Sequence, residues 1–287
     1  MFDCMLTTTY VAPLDRVQTL LQTQHVNSKI SAQWRYKGIY DCFTKVNRDQ
    51  GTLSLWRGNL TSCITIVPLT LLMLAMKKVY NKTEDKLTSN NPLKLLFKEI
   101  LLPGVLATSI WPLLYPMVFV ATRLQADVGI NPIRREFRGF RDCVKKIYQV
   151  EGIRSFYKGL SMSLSNALVH TILVPGIFNG GIILMLINGK QPGELFQICF
   201  GSSLIFFSHI VAYPLETMSK RIMIQQGKSH KLFNSGFECY KWTMKNEGYR
   251  GFYRGFLPYL MLQCNPAILG MLVGIQEYIQ KQRLEKE

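Results

Sequence analysis

Three stretches of this chain place ionisable groups at matching positions. In "VAPLDRVQTLLQTQ", from Val11, and "AYPLETMSKRIMIQQ", from Ala212, a carboxylate stands two residues after a proline: Asp15 after Pro13 and Glu216 after Pro214. In "YPMVFVATRLQADVG", from Tyr115, the same place after Pro116 is Val118. A second set consists of glycines. Gly38, Gly139 and Gly236 stand where short amphipathic helices should open, and Gly58, Gly159 and Gly255 where long apolar ones should. Backbone amides at helix N-termini attract phosphate. Arg57, Lys158 and Arg254 add positive charge there, and Trp56, Tyr157 and Tyr253 suit a lipid–water interface. The plainer alternative is that these glycines only shape turns and these aromatics only pack. The sequence shows no paired carboxylates, nucleophile–base arrangement, phosphate loop or metal-ligand spacing, which argues against an enzyme. Asp127, in "QADVG", is a lone acid expected to cap or to pair locally with the basic cluster that follows it.

The elements that must position these groups are long and apolar. Of 287 residues, 48% are hydrophobic, and residues 101–120, 160–186 and 195–215 contain no Asp, Glu, Lys or Arg. About 20 residues at ~1.5 Å rise span a ~30 Å hydrocarbon layer, so such blocks read as membrane helices. The formal net charge is +16, with basic residues clustered between the blocks, as at Arg134, Arg135, Arg138, Arg141, Lys145 and Lys146. Beside membrane spans that cluster marks the side with anionic lipids, and nucleic acid is not expected as a partner. The seven cysteines form no CxxC pair, so neither a disulfide framework nor a metal site is inferred. The opening "MFDCMLTTTY" has no basic n-region, which speaks against a cleaved secretory signal.

Self-similarity fixes the architecture. Pro13, Pro116 and Pro214 are 103 and 98 residues apart. "YKGIYDC", "FRGFRDC" and "FNSGFEC" recur at intervals of 101 and 96, as do the glycines closing "WRG", "YKG" and "YRG". Each repeat reads as apolar helix with proline, short amphipathic helix, glycine turn and second apolar helix. The first helices are expected at 2–24, 93–126 and 194–226, the second at 59–80, 160–187 and 256–280. The expected fold is therefore all-α, with six transmembrane helices in three pseudo-symmetric repeats (1–90, 91–190 and 191–287) forming one domain.

Over its whole length this pattern resembles the mitochondrial carrier family, whose marks are the triplicated P-x-[DE]-x-x-[KR] motif and the glycine turns. Within that family, "DQGTLSLWRGNL" and "TRLQADVG" are most similar to the ADP/ATP carrier branch, although "SKRIMI" is a damaged version of its arginine–methionine signature. The resemblance implies a multi-pass protein of the mitochondrial inner membrane with two gates, each a ring of inter-helix salt bridges. A charge pair suits a gate because its net worth is modest once desolvation is counted. On the matrix side the acid places hold Asp15, Val118 and Glu216, and the base places Gln18, Ala121 and Ser219. No bridge of that ring can form as the family builds it. The opposite ring falls at Lys78 and Asn81, Asn179 and Ile182, Gly274 and Glu277, and is likewise lost. The places of the substrate-binding basic residues hold Thr8, Thr65, Thr171 and Leu262. His170 could touch a solute, though a lone histidine in a bundle more often is a hydrogen-bonded interior residue.

The resemblance also implies that the paired helix N-termini bind cardiolipin, through the six glycines and the basic and aromatic residues named above. No other cofactor and no metal is expected. Only 12 residues precede Pro13. If Met1 is the start, the first helix is truncated on its outer side. Taken together, these losses point to a non-transporting, cardiolipin-binding structural subunit of a large inner-membrane assembly, a respiratory-chain complex first among them. The alternative is a working solute antiporter, for ADP/ATP or another solute, with atypical gates.

Overall fold

The computed structural model describes residues 2–84, 102–129, 135–187, 189, 191–225 and 232–263, and all regular structure among them is helical. Three units follow one another. The first contains α1 (Phe2–Thr23), α2 (Ile39–Gln50) and α3 (Asn59–Glu84). In the second, α4 (Leu102–Ala126) and α5 (Phe140–Glu151) precede α6 (Leu160–Leu168), which passes through a π-helical turn (Val169–Leu173) into α7 (Val174–Ile187). The third has α8 (Glu194–Gln225), α9 (Gly236–Glu247) and a helix α10 that opens at Phe256 and is described to residue 263. The expected helical residues 93–101 and 264–280 lie outside the described residues. The motif prolines Pro13, Pro116 and Pro214 sit inside α1, α4 and α8.

The short helices show why the pattern repeats. In α2 the buried positions are Cys42 and Val46, in α5 Cys143 and Ile147, and in α9 Cys239 and Thr243. A spacing of four residues puts each pair on one face. An acid in the first turn receives a backbone N–H from just upstream. Lys37 donates to Asp41, Arg138 to Asp142 and Asn234 to Glu238, each at 2.8 Å. In the first two units a lysine four residues on completes the arrangement, Lys45 with Asp41 at 2.9 Å and Lys146 with Asp142 at 2.8 Å. The Lys37 N–H and Lys45 hold the Asp41 carboxyl below its usual range, and Lys146 and the Arg138 N–H do the same for Asp142. Gly38 and Gly139 cap α2 and α5 as expected, but α9 differs. Ser235 is its N-cap, with Oγ accepting the Glu238 N–H, and Gly236 is already helical. Ser235 stands at the place of Gly38 and Gly139, 101 and 96 residues along, so all three helices start in the same register and a hydroxyl caps the third.

Burial concentrates where the amphipathic helices meet the proline-bearing ones. Val17, Leu20 and Leu21 pack with Cys42, Val46 and Leu55. Phe119, Val120 and Leu124 pack with Cys143, Ile147 and Phe156. Met218 and Ile222 pack with Phe233, Cys239 and Phe252. Adjacent units interlock, since Met223 of α8 belongs to the second cluster and Val26 to the third. Elsewhere the long helices expose apolar side chains such as Leu113, Leu173, Leu184 and Val211. By length and composition three stretches among the described residues, Thr52–Ala75, Ile153–Met185 and Glu194–Gln225, could cross a membrane. Their exposed apolar faces then meet lipid rather than water.

Candidate functional site

The motif positions converge at the inner end of the bundle, beside the amphipathic helices. Gly58, Gly159 and Gly255 have φ of +88°, +86° and +76°, in the left-handed region. Each also lies against the backbone of the next unit. A Cβ on Gly58 would sit 3.1 Å from the Ala121 carbonyl, one on Gly159 3.1 Å from that of Ser219, and one on Gly255 3.1 Å from that of Gln18. The positions expected to carry the gate's bases thus form a seam where each second helix begins against its neighbour. Both the turn and the close approach require glycine here.

The floor of the bundle is polar but carries no ring of ion pairs among the described residues. Gln18 Nε2 donates to Glu216 Oε1 at 2.9 Å, linking α1 to α8. Lys220, one turn along α8, pairs with the same oxygen at 2.9 Å. Asp15 accepts instead from Gln125 Nε2 of α4 at 2.6 Å, because Ala121 offers nothing. Ser219 donates to the Gly159 carbonyl at 3.1 Å, and Val118 has no polar side chain to meet it. A glutamine and a serine therefore replace two bases, and hydrogen bonds replace charge pairs.

Above this floor lies a cavity of about 370 Å³ lined by residues that include Val118, Glu216, Ser219, His170 and Thr171. Gate and cavity positions thus meet in one space. Sequence reasoning put no basic residue there, yet Lys220 lines it, together with His209, Tyr259 and Gln263. Of the expected cavity residues, Thr8, Thr65 and Leu262 do not line it; Thr65 donates back to the Thr61 carbonyl at 2.8 Å. His170 is hydrogen-bonded, to Ser208 at 3.0 Å, but it is not alone, since the His209 ring lies 4.7 Å away. The signal for Lys220 was its place one residue past the gate motif. For His209 it was a histidine inside an otherwise uncharged block. Of the opposite ring, Lys78 is exposed and Asn179 and Ile182 are half-buried on α7, while Gly274, Glu277 and the Asn81 side chain lie outside the described residues.

Two arginine-centred joints tie the proline-bearing helices to the inner end. Arg221 is fully buried and grips Glu247 with both ends of its fork, at 2.7 and 3.0 Å. Arg16 is equally buried and donates to Gln50 Oε1 at 2.7 Å and to the carbonyls of Ser54 and Asp127. Asp127 itself is a hub. It accepts the backbone N–H groups of Glu136 and Phe137, as a local cap would. Its ionic partners are Arg57 and Lys29, however, from the first unit and not from the basic cluster downstream. The fold brings unit one against that carboxylate, and residue spacing alone could not show it.

The residues expected to hold lipid are placed as follows. Trp56, Arg57 and Gly58 share a groove of about 350 Å³ with Arg135, Arg138 and Gly139 of the next unit. A Cβ on Gly38 or Gly139 would meet open space, whereas one on Gly236 would strike Met162. Tyr157 stacks on Tyr115 and Tyr253 on Tyr213, each half-exposed, and Trp56 donates to the Thr9 carbonyl. The Lys158 and Arg254 carbonyls accept from Tyr115 and Tyr213, at 2.9 and 2.7 Å. The charges of Arg57 and Arg254 are engaged with Asp127 and Glu247 rather than free in the groove. The aromatics therefore pack and face outward at once.

A family model described as "Mitochondrial carrier protein" matches residues 1–88, 96–178 and 195–281. The chain belongs to the mitochondrial carrier family. A mitochondrial substrate carrier family protein (ancA) of Dictyostelium discoideum is 34% identical over 251 residues, covering 87% of this chain and 81% of its own. ADP/ATP translocase 3 of Bos taurus is 32% identical over 253 residues, covering 86% and 84%, and the human ADP/ATP translocase 3 aligns equally well. Members of this family are multi-pass inner-membrane proteins, and this carrier has helices apolar enough for that. The relatives are transporters, not enzymes.

Proposed function

We propose that the chain is a solute carrier of the mitochondrial inner membrane, an antiporter working by alternating access around an atypical gate. One observation carries the reading: the cavity of about 370 Å³ rests on the gate positions Val118, Glu216 and Ser219. A floor closed by a hydrogen bond such as Gln18–Glu216 is worth about 1–3 kcal/mol, strong enough to close and weak enough to open. The kinship with carriers and translocases favours this over a non-transporting structural subunit of a respiratory-chain assembly, which has no support from the relatives. Among the described residues the one lysine lining the cavity is paired with Glu216, so their charges cancel. A solute of small net charge suits such a cavity better than a nucleotide bearing three or four negative charges, which needs several arginines or lysines.

The test is exchange by the purified protein in cardiolipin-containing liposomes, over a panel of labelled ADP, ATP and small metabolites. Saturable exchange of at least one solute is expected. No exchange of any solute, with the protein migrating only in a large complex on native gels, would return the structural-subunit reading. Cardiolipin binding at the groove between Gly58 and Gly139 belongs to the same proposal. It is supported by the two helix N-termini there and by Arg135 and Arg138. Loss of thermal stabilisation by cardiolipin in an Arg138→Ala variant is the expected outcome.

A further inference from the structure

We propose that His170 and His209 form one proton-binding site inside the solute cavity, and that this carrier moves a proton together with its solute. The proposal rests on the carrier reading above. Both histidines lie within blocks, 160–186 and 195–215, that hold no Asp, Glu, Lys or Arg. Both line the cavity, with ring centroids 4.7 Å apart and planes inclined by 45°.

The hydrogen-bond distances favour one placement of a proton. Ser208 has a single hydroxyl proton and donates it to the Ile205 carbonyl at 2.6 Å. With that proton on the shorter bond, the Ser208 oxygen, 3.0 Å from His170 Nδ1, accepts from it, the arrangement in which His170 carries its proton on Nδ1 and keeps the lone pair on Nε2. His209 Nδ1 lies 2.8 Å from the Tyr259 hydroxyl, which can donate or accept, so that partner tolerates either protonation state. Imidazole titrates near pH ~6.5 in the open, within the physiological range. Two imidazolium rings this close repel, so the pair takes up one proton as a unit.

The backbone at His170 is unusual as well. It lies in the π-helical turn Val169–Leu173, and π turns recur at functional sites. Gly104 of α4 packs against that turn, where a Cβ would lie 2.9 Å from the Thr171 carbonyl. The charged and titratable groups sharing the cavity are Glu216 and Lys220 of α8 and Tyr259 of α10, while the linings from α4 and α6 are uncharged. Glu216 already holds both Lys220 and the inter-unit partner Gln18. A positive charge arriving on the histidine pair competes for that carboxylate through a poorly screening medium. Protonation therefore bears on the floor of the cavity, which couples proton and solute. The pair is protonated on the inward leg with the solute, gives its proton to bulk water at higher pH, and returns unprotonated with the counter-solute, so each exchange cycle moves one net proton.

The first measurement needs no solute: a 15N-histidine NMR titration of the whole chain in nanodiscs, assigned with His170→Gln and His209→Gln. Uptake of one proton by the pair between about pH 5 and 8, starting from His170 protonated on Nδ1, is expected. A pair that binds no proton in that range overturns the proposal. The second uses liposomes loaded with a pH dye and a solute that passes the exchange screen. Accumulation should respond to an imposed pH gradient by up to about tenfold per unit for one proton per solute. Both Gln variants should lose that response. Exchange indifferent to the gradient overturns the proposal and leaves the carrier reading standing. If no solute moves, the carrier reading fails and the coupling falls with it, whatever the titration shows. Should a Gln variant not fold, Ser208→Ala keeps both rings and frees the His170 tautomer; an unmoved titration midpoint in that variant counts against the site.

Discussion

In the third unit Arg221 reaches Glu247 with both ends of its fork, and both side chains are at most 1% exposed. In the first unit the corresponding places hold Leu20, seven residues after the proline, and Gln50, just before the helix-ending glycine. Arginine and acid are missing there together. Arg16, one turn earlier, fills the space, and its hydrogen bonds go to Gln50 and two carbonyls, none to a carboxylate oxygen. The same joint is therefore a buried ion pair in one unit and a buried cation among neutral acceptors in another. Losing both members of a pair is tolerable because an intact ion pair gains little over a neutral replacement. Losing one member is not, since the survivor stays buried and uncompensated.

That contrast can be broken most sharply with Glu247→Gln. It leaves Arg221 facing a neutral partner, as Arg16 does, but in a site built for a charge. A loss of about 3–5 kcal/mol is expected, read as a lower thermal midpoint in nanodiscs. Next in size, Gly159→Ala should cost about 1–2 kcal/mol for a left-handed alanine, and more for its approach to the Ser219 carbonyl. Gly139→Ala, facing open space with an extended backbone, should cost less, about 0.5–1 kcal/mol, from the poorer N-cap alone. In the opposite direction, Gln50→Glu gives Arg16 a carboxylate at the atom it already contacts. A gain of about 1 kcal/mol is expected, the difference between a charged and a neutral hydrogen bond. An Arg16 joint that is not improved by Gln50→Glu would mean that the neutral acceptors already suffice.

The smallest effect concerns pH and the amphipathic helices of the first two units. The Asp41 and Asp142 carboxyls are held below their ordinary range by backbone N–H groups and lysines. A depressed folded value means the contribution is complete above the ordinary carboxylate value of ~4 and is lost as pH falls through the depressed one. Hydrogen exchange of α2 and α5 should therefore be flat from about pH 7 to pH 5, after correction for intrinsic rates, and accelerate below about pH 4. At neutral pH and above, the buried thiols of Cys42, Cys143 and Cys239, pushed up to about 12 by burial, should resist alkylation in the folded protein and react once it is unfolded.

What was legible in the sequence was the part set by local sterics. Gly58, Gly159 and Gly255 recur because a positive φ and a neighbouring carbonyl leave room for nothing else. The amphipathic helices announced themselves through a four-residue spacing and an acid in the first turn. What was not legible depends on the rotation of one helix against another. Lys220 and His209 face the cavity only because α8 turns that way in the bundle, so a reading by family positions at Thr8, Thr65 and Leu262 missed them. Asp127 found Arg57 and Lys29 across a unit boundary, where sequence distance gives no guide. The loss of the gate's charges was visible at Val118, Gln18, Ala121 and Ser219. What replaced them, the Gln18–Glu216 and Gln125–Asp15 hydrogen bonds, required the packed helices.

The central claim is that this floor still gates a solute pathway. The most direct measurement compares wild type with Glu216→Ala in proteoliposomes, following a labelled solute with and without counter-solute inside. Wild type should show saturable exchange that requires counter-solute. Glu216→Ala, which removes the Gln18–Glu216 hydrogen bond from the floor, should leak label without it. Wild-type protein that moves no solute, or a Glu216→Ala variant whose exchange remains strictly coupled, would contradict the account.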